Sequence, residues 1–127
     1  MQSACMDTEY EDFDLDGLTY NDQDLIPAII QDSTDGAVLM MAWMDREALL
    51  RTLLTGDVWF YSRSRSRMWR KGETSGNTLH ALEVRYDCDS DALLLSCRIE
   101  GDKMACHTGE RSCFYRSIPM KGDMRGE

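Results

Sequence analysis

Two kinds of metal ligand are interleaved near the C-terminal end of this chain. The segment Asp87-Cys88-Asp89-Ser90-Asp91 alternates carboxylates with a thiol, and two further cysteines follow at Cys106 and Cys113. Carboxylate oxygens are the ligands that Mg²⁺ prefers, whereas thiolates suit Zn²⁺. The residue types therefore predict metal-assisted chemistry that uses both cations.

The three aspartates predict a Mg²⁺ site. If residues 86–92 are extended, the side chains of Asp87, Asp89 and Asp91 face one way and that of Cys88 faces the other. Three carboxylates on one face repel one another unless a cation lies among them. The alternative is a solvated acidic turn without a metal.

The cysteines predict a Zn²⁺ site. Cys88, Cys106 and Cys113 supply three sulfur ligands, and three protein ligands with one open position are typical of catalytic zinc. Because Cys88 would point away from its aspartate neighbours, we expect it to meet Cys106 and Cys113 across a subunit boundary. His107 is the candidate general base. Cys97 lies in an apolar run and is predicted to be a core thiol.

A basic segment precedes these ligands. Five of the fourteen basic residues fall between positions 63 and 71. Arginine forks and serine hydroxyls suit phosphate recognition, and an aromatic ring suits stacking on a base. The alternative is a solvated cationic loop. The candidate substrate and phosphate ligands are Arg63, Arg65, Trp69, Lys71, Glu73, Thr74, Ser75 and Asn77.

The length and the charge distribution of the chain indicate how it is divided into segments. At 127 residues, it is expected to form a single domain. Eight of the 23 acidic residues, and none of the basic ones, lie in residues 1–24, so the remainder is close to neutral. We predict a flexible acidic leader at 1–24, a folded domain at 25–118 and a polar tail at 119–127.

Several functional classes are disfavoured by the same composition. No run approaches the roughly 18 apolar residues of a membrane span, and the N-terminus lacks the features of a signal peptide. The near-neutral remainder argues against a nucleic-acid binder. The expectation is a cytoplasmic protein whose five cysteines are thiols or metal ligands rather than disulfides.

The elements that must position these residues read as a β-rich α+β domain with antiparallel strands and one main helix. Residues 25–31 and 37–43 predict a hairpin, and residues 45–56 predict a helix capped by Asp45 and ended by Gly56. Its leucines and the Met40-Met41 pair are predicted to lie in the core. Four further strands are predicted at residues 58–62, 78–86, 92–99 and 112–116.

Taken together, the motifs resemble those of the phosphoribosyl-AMP cyclohydrolases of histidine biosynthesis. The resemblance runs from about Asp35 to Arg116. It rests on Phe60-Tyr61-Ser62-Arg63-Ser64-Arg65, on Trp69 with Lys71-Gly72-Glu73-Thr74-Ser75-Gly76-Asn77, on Asp87-Cys88-Asp89-Ser90-Asp91, on Cys106-His107-Thr108-Gly109 and on Ser112-Cys113-Phe114.

The resemblance implies an intertwined homodimer with shared metal sites. It assigns Mg²⁺ to Asp87, Asp89 and Asp91, and Zn²⁺ to Cys106 and Cys113 with Cys88 of the partner chain. In the reaction it implies, a zinc-activated water attacks C6 of the N1-ribosylated adenine of 1-(5-phosphoribosyl)-AMP, and the ring opens between N1 and C6. The short tail implies ring opening alone, without the pyrophosphohydrolase domain that is fused to some relatives.

Two other functions compete with this interpretation. A zinc-dependent purine deaminase would also attack a purine C6, but its His-x-Glu and Pro-Cys-x-x-Cys signatures are absent from the sequence. A structural-zinc module that binds RNA through the basic segment would need a fourth zinc ligand and a salt-sensitive affinity. Ring opening remains the first expectation.

Overall fold

The structure is a computed structural model that describes residues 14–101, 104–106 and 108–122. Its ordered elements are a 3₁₀ turn and one helix among six strands. The strands are β1 (Ile26–Asp32), β2 (Val38–Met44), β3 (Trp59–Ser62), β4 (Arg67–Arg70), β5 (Leu79–Tyr86) and β6 (Leu93–Ile99); the 3₁₀ turn is Leu15–Gly17 and the helix, α1, is Arg46–Thr55. The predicted α+β class with one main helix is confirmed.

The main sheet has four strands in the order β2-β1-β6-β5, and β3 pairs with β4 in a separate hairpin. The predicted sheet was wholly antiparallel, but β1 and β6 run parallel, with Ala28 opposite Leu93 and Asp32 opposite Cys97. Since β1 and β6 are far apart in sequence, no local pattern reveals their pairing direction. The sheet is therefore mixed.

Helix α1 begins and ends where the sequence predicts. The Asp45 carboxylate accepts a hydrogen bond from the Ala48 backbone N–H, and Gly56 closes the helix with a left-handed φ of 84°. Leu49 is buried, whereas Leu54 is 57 % exposed, so the prediction that all four leucines lie in the core is wrong for Leu54. The buried face of helix α1 is therefore narrower than the positions of its four leucines suggest.

Thr52 completes the inner face of this helix. Its hydroxyl donates to the Ala48 carbonyl oxygen at 2.9 Å and accepts from the Trp59 backbone N–H, also at 2.9 Å. This buried hydroxyl ties α1 to the start of β3 without an unpaired polar atom. The helix thereby fixes the hairpin that carries the basic segment.

Two further segments differ from the predictions. Residues 67–70 form β4, although the sequence suggested only a basic loop there, because the arginines hide the alternation of the strand. Residues 112–116 form no strand. Instead the Ser112 hydroxyl donates to the Val38 carbonyl and the Cys113 N–H donates to the Leu39 carbonyl, at the outer edge of β2.

The packed domain begins before the predicted boundary at residue 25. Leu15 and Leu18 are 7 % and 6 % exposed and belong to the core. The Thr19 N–H donates to the Ser90 carbonyl, and Asp16 pairs with Arg46 at 2.6 Å. Two leucines within the acidic run explain why residues 14–24 pack against the domain. Residues 1–13 of the predicted leader lie outside the described part of the chain.

The core lies between the main sheet, α1 and the β3–β4 hairpin. Its largest fully buried side chains are Phe60, Ile26, Ile30, Leu39, Met44, Leu49, Leu79, Leu95, Val58, Thr52 and Cys97. Cys97 is a core thiol as predicted, and burial raises its pKa to about 12. Within the described ranges, no helix has the length and apolar character that a bilayer crossing requires.

Candidate active site

The Cys106–Cys113 loop lies at the end of the sheet where β6 finishes. Its backbone closes on itself through hydrogen bonds from the Ala105 N–H to the Arg111 carbonyl and from the Cys106 N–H to the Glu110 carbonyl. Gly109, with a φ of 93°, makes the turn between them. This closure brings together two cysteines that six residues separate in the sequence.

The Cys106 and Cys113 side chains lie close enough for each thiol to influence the pKa of the other. The Cys106 sulfur also lies 3.0 Å from the Thr108 hydroxyl oxygen, and chiefly this contact lowers the pKa of the Cys106 thiol. Burial of the Cys113 sulfur raises the pKa of that thiol. A close sulfur pair with one acidic member is a donor set that suits a soft cation such as Zn²⁺.

Lys71 lies beside this thiol pair. Its ammonium group donates to the Ala105 carbonyl oxygen, a contact between residues far apart in sequence. Burial lowers the pKa of Lys71, and the charges of Cys113 and Cys106 act in the opposite direction. The sequence predicted Lys71 as a phosphate ligand, whereas the structure places it against the backbone of the thiol loop.

Arg111 attaches the same loop to the β1–β2 turn. Its guanidinium donates to the carboxylates of Asp32 at 2.8 Å and Asp35 at 2.9 Å. Chiefly the Arg111 hydrogen bond, helped by Thr34, lowers the pKa of Asp32 to about 2. The thiol pair is thus held by contacts that span most of the chain.

The aspartate segment lies in the turn between β5 and β6. The Ser90 N–H donates to the Asp87 carbonyl, and Ser90 has a left-handed φ of 61°. The premise of an extended segment with aspartates on one face and Cys88 on the other is therefore wrong. A chain that must reverse direction between two antiparallel strands turns within these residues rather than continuing straight.

Asp87 and Asp91 nevertheless lie close together. The Asp91 backbone N–H donates to an Asp87 carboxylate oxygen at 3.0 Å, and the two carboxyl groups lie close enough to influence each other's pKa. The Asp91 N–H chiefly lowers the pKa of Asp87, whereas the contact with Asp87 raises that of Asp91. Two carboxyl groups in such contact share a proton or a cation.

Cys88 and the thiol pair lie at opposite ends of the sheet. The β5–β6 ladder begins at Tyr86 opposite Leu93 and finishes at Leu79 opposite Ile99. Six residue steps of a strand span about 20 Å. Accordingly, the described part of the chain holds no group of three His, Cys, Asp or Glu side chains that could bind a metal.

A cavity of about 730 Å³ is lined by residues of β2 and of the β3–β4 hairpin. Trp69 and Met41 line it, and each is two residues along the chain from an anchor of the thiol loop, namely Lys71 and Leu39. Two strand residues advance about 7 Å. The cavity is open and large enough for a nucleotide, and neither Cys106 nor Cys113 is among its lining residues.

The structure divides the predicted substrate residues into two groups. Arg63 and Trp69 line the large cavity, and Arg65 with Trp69 lines a neighbouring cavity of about 320 Å³. Neither Arg63 nor Arg65 has an acidic partner within the described ranges, whereas arginines elsewhere in the fold form ion pairs. These two arginines are available to an anionic ligand.

The second group belongs to the turn after β4. The Glu73 carboxylate accepts from the Arg70 N–H at 3.0 Å, and the Ser75 hydroxyl accepts from the Asn77 N–H at 3.2 Å. Thr74 is exposed. A Cβ on Gly101 would lie 2.6 Å from the Asn77 amide oxygen, so the turn packs closely on the chain after β6. His107 lies outside the described residues, and its assignment stays a prediction.

Four cavity residues outside the basic segment were not predicted. Gln23, Met41, Ala42 and Trp43 line the cavity together with the basic hairpin. Met41, which is 42 % exposed, had been predicted with Met40 to lie in the core. The alternation of β2 was the available signal, because residues 41 and 43 fall on the same side of the strand and residue 40 on the other.

Comparison with known proteins identifies the family of this chain. The family model described as phosphoribosyl-AMP cyclohydrolase matches residues 40–115. A phosphoribosyl-AMP cyclohydrolase of Pelotomaculum thermopropionicum is 54 % identical over 112 residues, which cover 88 % of this chain and 85 % of the relative. One of Trichormus variabilis is 54 % identical over 103 residues, covering 81 % and 88 %.

Longer proteins match equally well. The histidine biosynthesis bifunctional protein HisIE of a Synechocystis strain is 61 % identical over 102 residues, which cover 80 % of this chain and 47 % of that protein. The chain thus spans about half the length of these bifunctional relatives. Both sets of matches show that the chain belongs to the phosphoribosyl-AMP cyclohydrolase family.

Proposed function

We propose that this chain hydrolyses the adenine ring of 1-(5-phosphoribosyl)-AMP. The observation that carries the proposal is a nucleotide-sized cavity on β2 and the β3–β4 hairpin, the same elements that lead to the anchors of the Cys106–Cys113 loop, in a chain of this family. Water oxygen would bond to C6, the C6–N1 bond would break, and N1 would take a proton. The amino nitrogen stays on the product as a carboxamide.

We propose Cys106 and Cys113 as two Zn²⁺ ligands, with Cys88 of a second copy as the third. The position of Cys88 at the far end of the sheet supports this division, because one chain cannot bring the three sulfurs together. When bound, zinc would act as a Lewis acid and lower the pKa of its water from about 15.7 to about 7. The homodimer follows from the same proposal.

The chain's own residues would bind the substrate and move protons. Trp69 supplies a stacking surface in the cavity, and Arg63 and Arg65 supply charges for the phosphates. His107, adjacent in sequence to Cys106, is the proposed base that takes the proton of the attacking water and returns it to N1. Lys71 would hold the thiol loop in place and offset its negative charge.

We further propose that Asp87, Asp89 and Asp91 bind Mg²⁺. The contact between the Asp87 and Asp91 carboxyl groups supports it, because a divalent cation would relieve the repulsion between them. A turn of this kind also leaves room for the waters that Mg²⁺ usually keeps.

The test is a ring-opening assay by absorbance with metal-depleted and metal-restored protein. We expect hydrolysis to stop when zinc is chelated in excess Mg²⁺ and to return when zinc is added. Ammonia release would identify the deaminase alternative instead. Full ring opening after verified zinc removal would contradict the metal assignment, and absence of ring opening in the zinc-loaded protein would contradict the activity.

A matched binding experiment covers the remaining alternative. A structural-zinc module would bind RNA with an affinity that falls steeply with salt. We expect no such RNA binding at 150 mM salt, at about physiological ionic strength. Tight, salt-sensitive RNA binding without ring opening would replace the enzyme assignment.

A further inference from the structure

Trp43 and Arg63 form a stacked pair on the wall of the large cavity. The Arg63 guanidinium carbon lies 5.1 Å from the centroid of the Trp43 ring, and both residues line the cavity. The pair joins β2 of the main sheet to the turn that follows β3. It therefore crosses between the two sheets and fixes the direction of an otherwise flexible arginine.

Arg63 has no other strong interaction among the described residues. Its guanidinium has no ion pair within these ranges, although the chain carries 23 acidic residues. A guanidinium stacked by its face keeps its N–H edge free for a planar acceptor. The pair therefore presents a charged and oriented donor group to the cavity.

A second stacked pair, which lies outside the cavity, differs from this one. Arg51 lies 4.9 Å from the Trp59 ring centroid, but its guanidinium is also 3.5 Å from the Glu47 carboxylate. Its charge is thus balanced within helix α1, and neither residue lines the cavity. Arg63 differs because it contacts the Trp43 ring but pairs with no carboxylate among the described residues.

Two hydroxyls flank the turn that carries Arg63. The Ser62 and Ser64 oxygens are 3.3 Å apart, both residues line the cavity, and the Ser62 oxygen also accepts from the Arg65 N–H. Hydroxyls and an oriented guanidinium are the donors that a phosphomonoester needs. Among the described residues, no carboxylate lines this cavity to repel such a ligand.

We propose that Trp43 is a positioning residue that holds Arg63 as a receptor for a phosphomonoester of the substrate. Ser62 lies opposite Arg67, four residues and about 13 Å of extended strand from Lys71 at the thiol loop. The receptor thus binds the substrate at a phosphate remote from the ring that opens. This assignment rests on the proposed function and adds the residue that orients the anion site.

Preorganisation predicts the kind of effect. Arg63 loses little rotamer freedom when a phosphate arrives, because Trp43 has already restricted it. A cation–π contact of ordinary strength corresponds to about a 3- to 30-fold change in affinity. Loss of Trp43 should therefore raise KM within that range and leave kcat within about twofold.

The test compares Trp43→Leu with Trp59→Leu, alone and in an Arg63→Met background. We expect the first variant to raise KM for phosphoribosyl-AMP and the second to leave KM unchanged. In the Arg63→Met background, Trp43→Leu should have no further effect, since its action passes through Arg63. Trp43→Phe, which keeps an aromatic face, should recover most of the affinity. Additive effects of Trp43→Leu and Arg63→Met would overturn the proposal.

Binding measurements with AMP and adenosine keep the test independent of catalysis. Calorimetry on the wild-type protein should show tighter binding of AMP, and Trp43→Leu should weaken AMP but not adenosine. Equal loss for both ligands would mean that Trp43 contacts the base and would overturn the proposal. Equal wild-type affinity for AMP and adenosine would overturn it as well. If the protein does not open the ring but still binds AMP more tightly than adenosine, only the proposed function is contradicted.

Discussion

The two ends of the β5–β6 ladder are built in different ways. At the thiol end, Arg111 reaches Asp32 and Asp35 across more than 70 residues, and Lys71 reaches Ala105 across 34. At the aspartate end, the main hydrogen bonds of the turn join residues only three to five apart, from Asp87 to Ala92. The thiol end depends on contacts across the whole fold, whereas the aspartate end is mainly a local turn to which the Thr19 N–H adds one long-range hydrogen bond at the Ser90 carbonyl.

This difference separates the two sets of candidate metal ligands. Long-range contacts hold the loop of Cys106 and Cys113 against the rest of the fold, whereas the local turn leaves Cys88 exposed at the other end of the β5–β6 ladder, which is about 20 Å long. Within the described residues, the three cysteines do not form one group of ligands. Under the proposed function, the motif supplies ligands to two places.

The largest expected effect is at the thiol end. Cys106→Ser should abolish stoichiometric zinc binding and lower kcat/KM by more than about 100-fold, beyond the usual loss from removing an outer partner of a metal ligand. Metal analysis and the ring-opening assay measure both effects. Cys97→Ala is the control, since that buried thiol stays protonated and should leave zinc content unchanged. If the Cys106→Ser protein binds as much zinc as the Cys97→Ala control, Cys106 is not a zinc ligand.

Lys71 could act on the zinc site or on the substrate phosphate, and a substitution distinguishes the two roles. Lys71→Met should weaken zinc binding about 10- to 100-fold, because the ammonium beside both thiols offsets their charge. Competition with a chromogenic chelator measures this affinity. The exposed Lys121→Met is the matched control. A raised KM with unchanged zinc affinity would instead return Lys71 to the phosphate role that the sequence suggested.

Leu18 tests the packing of the aspartate end. Its side chain is 6 % exposed in the segment next to the Ser90 contact, so Leu18→Ala should lower the free energy of unfolding by about 2 kcal/mol. Leu54→Ala, at an exposed position, should change it by less than about 0.5 kcal/mol. Urea unfolding compares the two. Equal effects would mean that residues 14–24 do not contribute to the domain.

Asp32 gives the smallest expected effect and a pH signature. Asp32→Asn keeps the acceptor for Thr34 but loses the ion pair with Arg111, at a cost of about 1 kcal/mol near neutral pH. Because the folded pKa of about 2 lies below the ordinary 3.8, this stabilisation exists above pH 4 and disappears towards pH 2. Urea midpoints of both proteins should converge over that interval. A gap that does not depend on pH would contradict the ionic origin.

Local signals predicted the elements well. The Asp45 cap, the Gly56 ending and the hairpin turn at residues 33–36 all appear where their residue types require. Strand β4 was missed because its arginines mask the alternation, and the parallel pairing of β1 with β6 was missed because it joins distant segments. Helix and turn chemistry is local, whereas strand pairing depends on the complete fold.

The candidate site was predictable in its residue types but not in its geometry. The sequence singled out Cys106 and Cys113 as a pair, and the structure brings their sulfurs together. No sequence pattern indicates that Lys71 approaches Ala105 or that Trp43 stacks on Arg63, because both contacts join separate elements. Side chains that meet through tertiary packing leave no spacing pattern in the sequence.

The most direct test of the central claim mixes two inactive variants. Cys88→Ser and Cys106→Ser chains, unfolded together and refolded with zinc, should form mixed dimers that each retain one complete site. A random equal mixture should then recover about a quarter of the wild-type activity, since half of the dimers are mixed and each has one of two sites. No activity above that of the separate variants, with mixed dimers verified by differential tags, would contradict a zinc site shared between the two ends of the sheet.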